Sequence, residues 1–338
     1  MKSEKILLSH GSGGRSMHSL IKNIFVKHFD SATLKELEDS AVLDISYAGS
    51  ELCFTTDSYT VDPLFFPGGD IGKLAVCGTV NDISVMGAIP LFLSCGIIVE
   101  EGLETGLLER IAESMAGTAR KAGVEIVTGD FKVVEKGKAD RIFINTSGIG
   151  IRRRKTKTGR RLIKPGDKVI INGTIGEHEL AVLSARNSFG ITTGIRSDCA
   201  PLNGLIREIL KASDRVRFMR DPTRGGIAAT LNEIVEDSDR GILLYENEIP
   251  VTAKVSSLCE MLGFDPLYLA NEGKVIVVCG SKDTCKVLTA MKKHPFGRKS
   301  AIIGEVVRDP EGKVIMETLA GSHRIVEMLS GSQLPRIC

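Results

Sequence analysis

Six short runs rich in β-branched and apolar residues punctuate the chain: ELCFTT, VEIVTG, RIFINTSGIGI, KVIING, KVIVVCG and AIIGEVV. Between them lie segments whose apolar residues recur at three- and four-residue steps. A period of two can only be satisfied in a sheet, and a period of 3.6 only on helices that cover one, so the alternation predicts an α/β (α+β) fold. The clearest helix spans Leu107 to Arg120, with Leu107, Leu108, Ile111, Met115 and Ala119 on one stripe and Gly123 as its stop. A second is expected in IGKLAVCGTVNDISVMG, whose small residues Ala75, Cys77, Gly78 and Thr79 either admit a ligand or another backbone, or simply pack tightly. A third is expected from Ile227 to Glu236.

With 338 residues, 42% of them apolar, the chain can bury roughly two domain cores. Between Ile151 and Pro165 runs RRRKTKTGRRLIKP, with seven Arg or Lys from Arg152 to Arg161. A solvated linker is expected there, a docking patch being the alternative. The division that follows is an arm over 1–35, a first domain over 36–150, a basic linker over 151–165, a second α/β domain over 166–310, and a flexible tail over 311–338. The tail carries Ser-Gly-Ser and Pro335, and its last residue is Cys338.

Lys and Arg number 44 against 42 Asp and Glu, so no basic excess points to nucleic acid or an anionic membrane. Neither a secretory apolar segment nor an 18-residue apolar run is found, and a cytoplasmic protein with small-molecule or protein partners is expected. The eight cysteines form no CxxC pair; all but Cys338 sit in apolar or mixed contexts and are expected as buried thiols. The six histidines show no zinc-ligand spacing.

Asp39, Asp57, Asp82 and Asp130 sit at turns or strand ends, where carboxylates can converge on a hard cation such as Mg²⁺, although each taken alone is more often a turn residue. Lys132 follows Asp130 by two positions, so on a strand the two share a face, suited either to neutralising phosphate or to a surface ion pair. Glycine-rich HGSGGR, FFPGGDIG and DPTRGGIA could each offer amides to an anion, the last with Arg224 before a helix; none is a Walker A sequence. Glu272, in NEGK before an apolar run, is a candidate base or a solvent-facing turn residue.

Taken together, HGSGGR at 10–15, DSYTVDPLFFPGGDIGKLAVCGTVNDISVMGA at 57–88, TGDFKVV at 128–134, MRDPTRGG at 219–226, NEGK at 271–274 and the ending PRIC at 335–338 resemble the HypE-type hydrogenase maturation proteins. These belong to the superfamily of aminoimidazole ribonucleotide synthetase and selenophosphate synthetase. The resemblance implies a two-domain aminoimidazole ribonucleotide synthetase-like fold, a homodimer through the first-domain sheets, and ATP with Mg²⁺ near that interface. It assigns Asp39, Asp57, Asp82 and Asp130 to the metal and nucleotide, with Asn81 and Arg224 beside them. The arm around Gly13 and Gly14 becomes a glycine-rich lid. Lys132 becomes the phosphate-contacting lysine, Glu272 the glutamate near the incoming tail, and Cys338 the cysteine that is carbamoylated and converted to thiocyanate. The chain departs from the pattern at Phe131, where the family has Thr, and at Glu179, where it has Gly.

The implied activity is ATP-dependent dehydration of an S-carbamoyl group on Cys338, supplying cyanide for the iron of a [NiFe]-hydrogenase. The implied partners are the carbamoyltransferase HypF and the HypC–HypD iron-carrying complex. The alternatives are a kinase or synthetase of the same superfamily acting on a free small molecule, and a nucleotide-sensing scaffold. Selenophosphate synthetases carry a reactive Cys or selenocysteine near the N-terminal glycine loop, whereas the first cysteine here is Cys53.

Overall fold

The structure is a computed structural model that describes residues 15–20, 22, 34–38, 41–43, 50–153, 156–186 and 193–328. After α1 (Arg15–Leu20), the first unit comprises β1 (Ala41–Leu43), β2 (Ser50–Tyr59), the small hairpin β3 (Phe65–Phe66) and β4 (Gly69–Asp70), α2 (Ile71–Val85), β5 (Ile89–Glu100), α3 (Thr105–Ala122), β6 (Glu125–Val134) and β7 (Ile142–Arg153). Its main sheet has the order β1-β2-β7-β5-β6. Every pairing is antiparallel except β5 with β6, the pair joined by α3, because a parallel return needs a crossover.

Local chemistry sets these ends. The Asp70 carboxylate accepts the Lys73 amide at 3.0 Å and caps α2. Gly123, at φ 71°, ends α3 as its position in the sequence predicts. Both helices lie on one face of the sheet, where Ile71, Leu74, Val80, Ile111 and Met115 pack with Leu93, Ile142 and Ile144. The small residues of α2 serve tight packing: Thr146 Oγ1 donates to the Ala75 carbonyl at 2.7 Å, and a Cβ on Gly78 would lie 2.2 Å from the Tyr59 hydroxyl.

The second unit comprises β8 (Lys168–Ile171), α4 (Glu177–Ala185), α5 (Asn203–Ala212), β9 (Val216–Arg220), α6 (Gly226–Val235), β10 (Gly241–Tyr245), α7 (Ala253–Leu262), β11 (Ile276–Cys279), α8 (Thr284–Lys293), β12 (Ala301–Val307), β13 (Val314–Glu317) and β14 (His323–Ile325). Its seven strands run β14-β13-β10-β12-β8-β11-β9. Helices cover both faces. Val169, Ile171, Ile276 and Val278 pack under α6, whereas the intervening Ile170 and Val277 pack against α5 and α8. Strands buried on both faces lose polar alternation, which is why KVII and IVVC are continuously apolar.

Three expectations change. The segment 311–328 is not tail: β13 and β14 extend the second sheet, and Val326 is fully buried beneath α6. The linker is shorter than 151–165, because Arg152 and Arg153 complete β7, Arg152 pairs with Glu51 at 2.8 Å, and Ile163 is buried in the second core. Among the described cysteines Cys53, Cys77, Cys199, Cys259 and Cys279 are buried, but Cys95 is half-buried and Cys285 exposed. No helix among the described residues is long and apolar enough to cross a membrane.

Candidate functional site

Carboxylates gather where the two units meet. Asp57, on β2, and Asp82, on α2, both belong to the helix-covered side of the first sheet. Thr55 Oγ1, two residues before Asp57 on the same strand face, donates to Asp82 Oδ2 at 3.0 Å. The Tyr59 hydroxyl donates to Asp57 Oδ2 at 3.1 Å. Burial raises the Asp57 pKa, an effect that the positive charge of Arg224 partly offsets from the second unit. Burial and the charges of Asp57 and Asp82 also push the Tyr59 hydroxyl far up, so it stays a donor.

Facing them is Glu272, whose residue is only 6% exposed. Burial pushes its carboxyl well above the usual range, and the negative charges of Asp221, Asp198 and Asp57 push it further. Once ionised, a carboxylate with its pKa raised in this way is a stronger proton acceptor than an ordinary one. Its turn comes from the NEGK motif. Asn271 fastens that turn from below, accepting the Gly176 amide at 2.9 Å and donating to the carbonyls of Leu269 and Pro222 at 2.9 and 3.2 Å.

The DPTRGG stretch supplies Asp221 and Arg224 at the entry to α6. Gly226, at φ 60°, must be glycine, because a Cβ there would lie 2.5 Å from the Leu267 carbonyl oxygen. That close approach brings the start of α6 against the segment leading to Glu272.

Asp130 and Lys132 stand elsewhere. In the register of the sheet, Asp57 lines up with Thr146, Cys95 and Gly129, all on the helix-covered face. Asp130, next along β6, lines up with Gly96 and Asn145 on the opposite face, and Lys132 with Ile98. Two carboxylates whose places differ by one residue in a strand register cannot meet within one chain. Asp130 and Lys132 do share a face, 3.5 Å apart, with side chains 71% and 69% exposed. Phe131 is half-exposed on the same edge strand.

Asn81 is 1% exposed, and both its functions are engaged: Nδ2 donates to the Ala200 carbonyl at 3.2 Å, and Oδ1 accepts the Leu202 amide at 2.7 Å. The resemblance implies a place for Asn81 beside the nucleotide; in the structure its side chain clamps the two units. Glu179 is buried within α4 and accepts the Ala270 amide, so this departure from the resembled pattern fastens the segment before Glu272. Gly13, Gly14, Asp39 and Cys338 lie outside the described residues.

Asp57 and Asp82 fit a hard cation that takes one or two carboxylates and completes its shell with phosphate and water. Among the described residues no group of three or more His, Cys, Asp or Glu could hold a metal alone. Sequence reasoning missed Tyr59, Asp198, Asp221 and Lys274. Tyr59, Asp221 and Lys274 stand inside the quoted motifs DSY, MRDPTRGG and NEGK, so a signal existed. Asp198 stands in none.

Comparison with known proteins agrees with this layout. The AIR synthase related protein family matches in two parts, its N-terminal domain over residues 37–152 and its C-terminal domain over 164–317. A carbamoyl dehydratase HypE from Cupriavidus necator is 48% identical over 338 residues, covering 100% of this chain and 96% of its own. A solved HypE–HypF complex superposes with a TM-score of 0.87 at 50% identity, covering 92% of this chain and 100% of that one. A HypE solved in complex with ATP gives a TM-score of 0.82 at 46% identity, covering 99% and 100%.

Proposed function

Because this chain belongs to the AIR synthase related family, within its HypE group of carbamoyl dehydratases, we propose that it dehydrates an S-carbamoyl group carried on its own Cys338. It is a carbamoyl dehydratase of hydrogenase maturation, and ATP is its phosphoryl donor. The similarity to a HypE solved with HypF supports a HypF-type carbamoyltransferase as the source of the carbamoyl group. As further partners we name a HypC–HypD iron-carrying complex, which would take the cyanide. The described cysteines are all free, which suits a reducing cytoplasm.

The observation that carries the mechanism is the buried Glu272 carboxyl at the junction, facing Asp57 and Asp221. Loss of water from a carbamoyl group requires its oxygen to become a leaving group. The carbamoyl oxygen attacks the γ-phosphorus of ATP, and ADP departs. The nitrogen gives up one proton to solvent as the O-phosphoryl imidate forms. Glu272 accepts the second as the C–O bond breaks, phosphate leaves with the oxygen, and the sulfur retains a nitrile. Mg²⁺, held by Asp57 and Asp82 with Asp39 and Asp130 as further candidates, would spread the charge of the transferring group when bound. Arg224 adds positive charge on the same side, and the Gly13–Gly14 arm would close over the nucleotide.

Lys132 and Asp130 enter this scheme through a second copy. Phe54, Phe92 and Ile98 are exposed on the face of the first sheet that carries Lys132 and Asp130. A homodimer built on that face brings Lys132 to an interface, where its ammonium can meet a phosphate. The test is peptide mass spectrometry of Cys338 after incubation with carbamoyltransferase, carbamoyl phosphate and ATP. A carbamoyl adduct that loses one water in the parent, but persists in Glu272→Gln, is the expected result; water loss at the parental rate in that variant removes Glu272 from the chemistry.

A further inference from the structure

The segment from Ser197 to Leu202 belongs to no motif and to no helix or strand, yet it touches both units and the turn that carries Glu272. Its fastening to the first unit has two points. The Ser197 amide donates to the Pro67 carbonyl at 2.7 Å, and a Cβ on Gly68 would stand 2.5 Å from the Ser197 oxygen, so the two backbones lie in contact. Fourteen residues beyond Pro67, Asn81 clamps the Ala200 carbonyl and the Leu202 amide from α2, one residue before the candidate cation ligand Asp82.

Its fastening to the Glu272 turn is a carboxylate. Asp198 Oδ1 accepts the Glu272 amide at 3.2 Å, and Oδ2 accepts the Gly273 amide at 3.2 Å and the Lys274 ammonium at 2.8 Å. The Ala200 amide donates back to the Glu272 carbonyl at 3.4 Å. A Cβ on Gly273 would stand 1.9 Å from the Asp198 carbonyl oxygen, so only glycine lets the two segments approach. The Asp198 side chain is 6% exposed and that of Lys274 9%. Burial opposes the Asp198 charge, but Lys274 and the amides outweigh it, so the group stays ionised. Truncating a buried ionic anchor of this kind leaves its partners unpaired, so the arrangement tolerates little change.

We infer that residues 197–202 form a strap that sets Glu272 toward Asp57 and Asp82 at the junction of the two units, with Asp198 and Asn81 as its positioning residues. The strap rests on the reading of Glu272 as the proton acceptor. It touches neither ATP nor the carbamoyl group directly; it holds the backbone from which the acceptor projects. Misplacing a reacting group by about 1 Å can cost on the order of a hundredfold in rate.

The experiment uses the full chain, carbamoylated by its transferase, and follows thiocyanate formation on Cys338 as ATP is varied. Asp198→Asn replaces one oxygen by an amide that cannot accept a backbone N–H. It is expected to lower the rate at saturating ATP at least tenfold while the half-saturating ATP concentration stays within twofold. Asn81→Ala, which frees the strap at its other end, is expected to show the same split. Because it leaves Asp198 intact, it tests the strap independently if Asp198→Asn does not fold. A rise in half-saturating ATP without loss of rate in Asn81→Ala would make Asn81 a nucleotide contact and overturn its place in the strap. Glu272→Gln is run in parallel. If it is inactive while Asp198→Asn keeps the parental rate, the strap fails and the acceptor stands. If Glu272→Gln keeps the parental rate, the acceptor reading falls and the strap with it.

Discussion

The two sheets are built from similar residues but finished differently. The seven-stranded sheet has helices on both faces, and Phe218, Ile170, Ile171 and Val277 lie within its cores. Among the described residues the five-stranded sheet has helices on one face only, and Phe54, Ile89, Phe92, Ile98 and Ile151 are exposed on its strands. Every strand position must choose a face, and an apolar residue on the open face is stabilised only when something else covers it. The covered sheet is a scaffold complete in itself. The open one leaves apolar side chains uncovered, and Asp130 and Lys132 stand on the same face.

Placing a charge in the middle of the open face gives the sharpest break in this contrast. Ile98→Asp should convert the proposed dimer of 36.4 kDa chains to monomer, read as a halved mass by light scattering. ATP-dependent dehydration should fall with it, because Lys132 lies in register with Ile98. A variant that keeps the dimer would show that this face is not the interface.

Next in size is a matched pair of truncations made in that monomeric background. Phe218→Ala in the covered sheet should cost about 3–5 kcal/mol in denaturant unfolding, the usual range for a buried aromatic. Phe92→Ala on the open face should cost less than about 1 kcal/mol, since its ring is half-solvated before the change. Equal costs would mean that the open face is covered within the monomer.

The smallest effect sharpens the contrast through charge, since a covered interior can hold a carboxyl in its neutral form. Burial raises Glu179 from 4.5 to about 7. The folded chain therefore holds a proton that the unfolded chain has released between these values, and the stability supplied by the neutral form is lost as pH rises through about 7. Glu179→Gln keeps an acceptor for the Ala270 amide without the charge. It should match the parent near pH 4.5 and exceed it by about 3 kcal/mol at pH 8 in chemical denaturation. A parent whose stability does not fall across that window would mean that Glu179 is ionised throughout.

Much of this was legible in the chain. The six apolar runs fall on strands, and the stripe from Leu107 to Arg120 lies within α3, because period-two and period-3.6 patterns are local properties that burial merely ratifies. Segment boundaries were less legible. Val314 to Glu317 and His323 to Ile325 are short and polar-flanked, and only pairing with β10 and with each other makes them strands. At the candidate site, Glu272 and the DPTRGG turn could be picked out because their residue types advertise chemistry.

What the sequence by itself determined was the two-unit α/β plan, the membership of a family of carbamoyl dehydratases and the residue types at the junction of the two units. What only the tertiary structure decided was which of those residues meet. Asp57 and Asp130 look equivalent in sequence, yet the sheet register sends their side chains to opposite faces, since each step along a strand reverses the side. Asn81 and Asp198 look unremarkable, yet contacts across 119 and 74 residues of chain join α2, the strap and the Glu272 turn. A local pattern carries the period of an element. It carries no record of which distant backbone will be close enough to accept or donate a hydrogen bond.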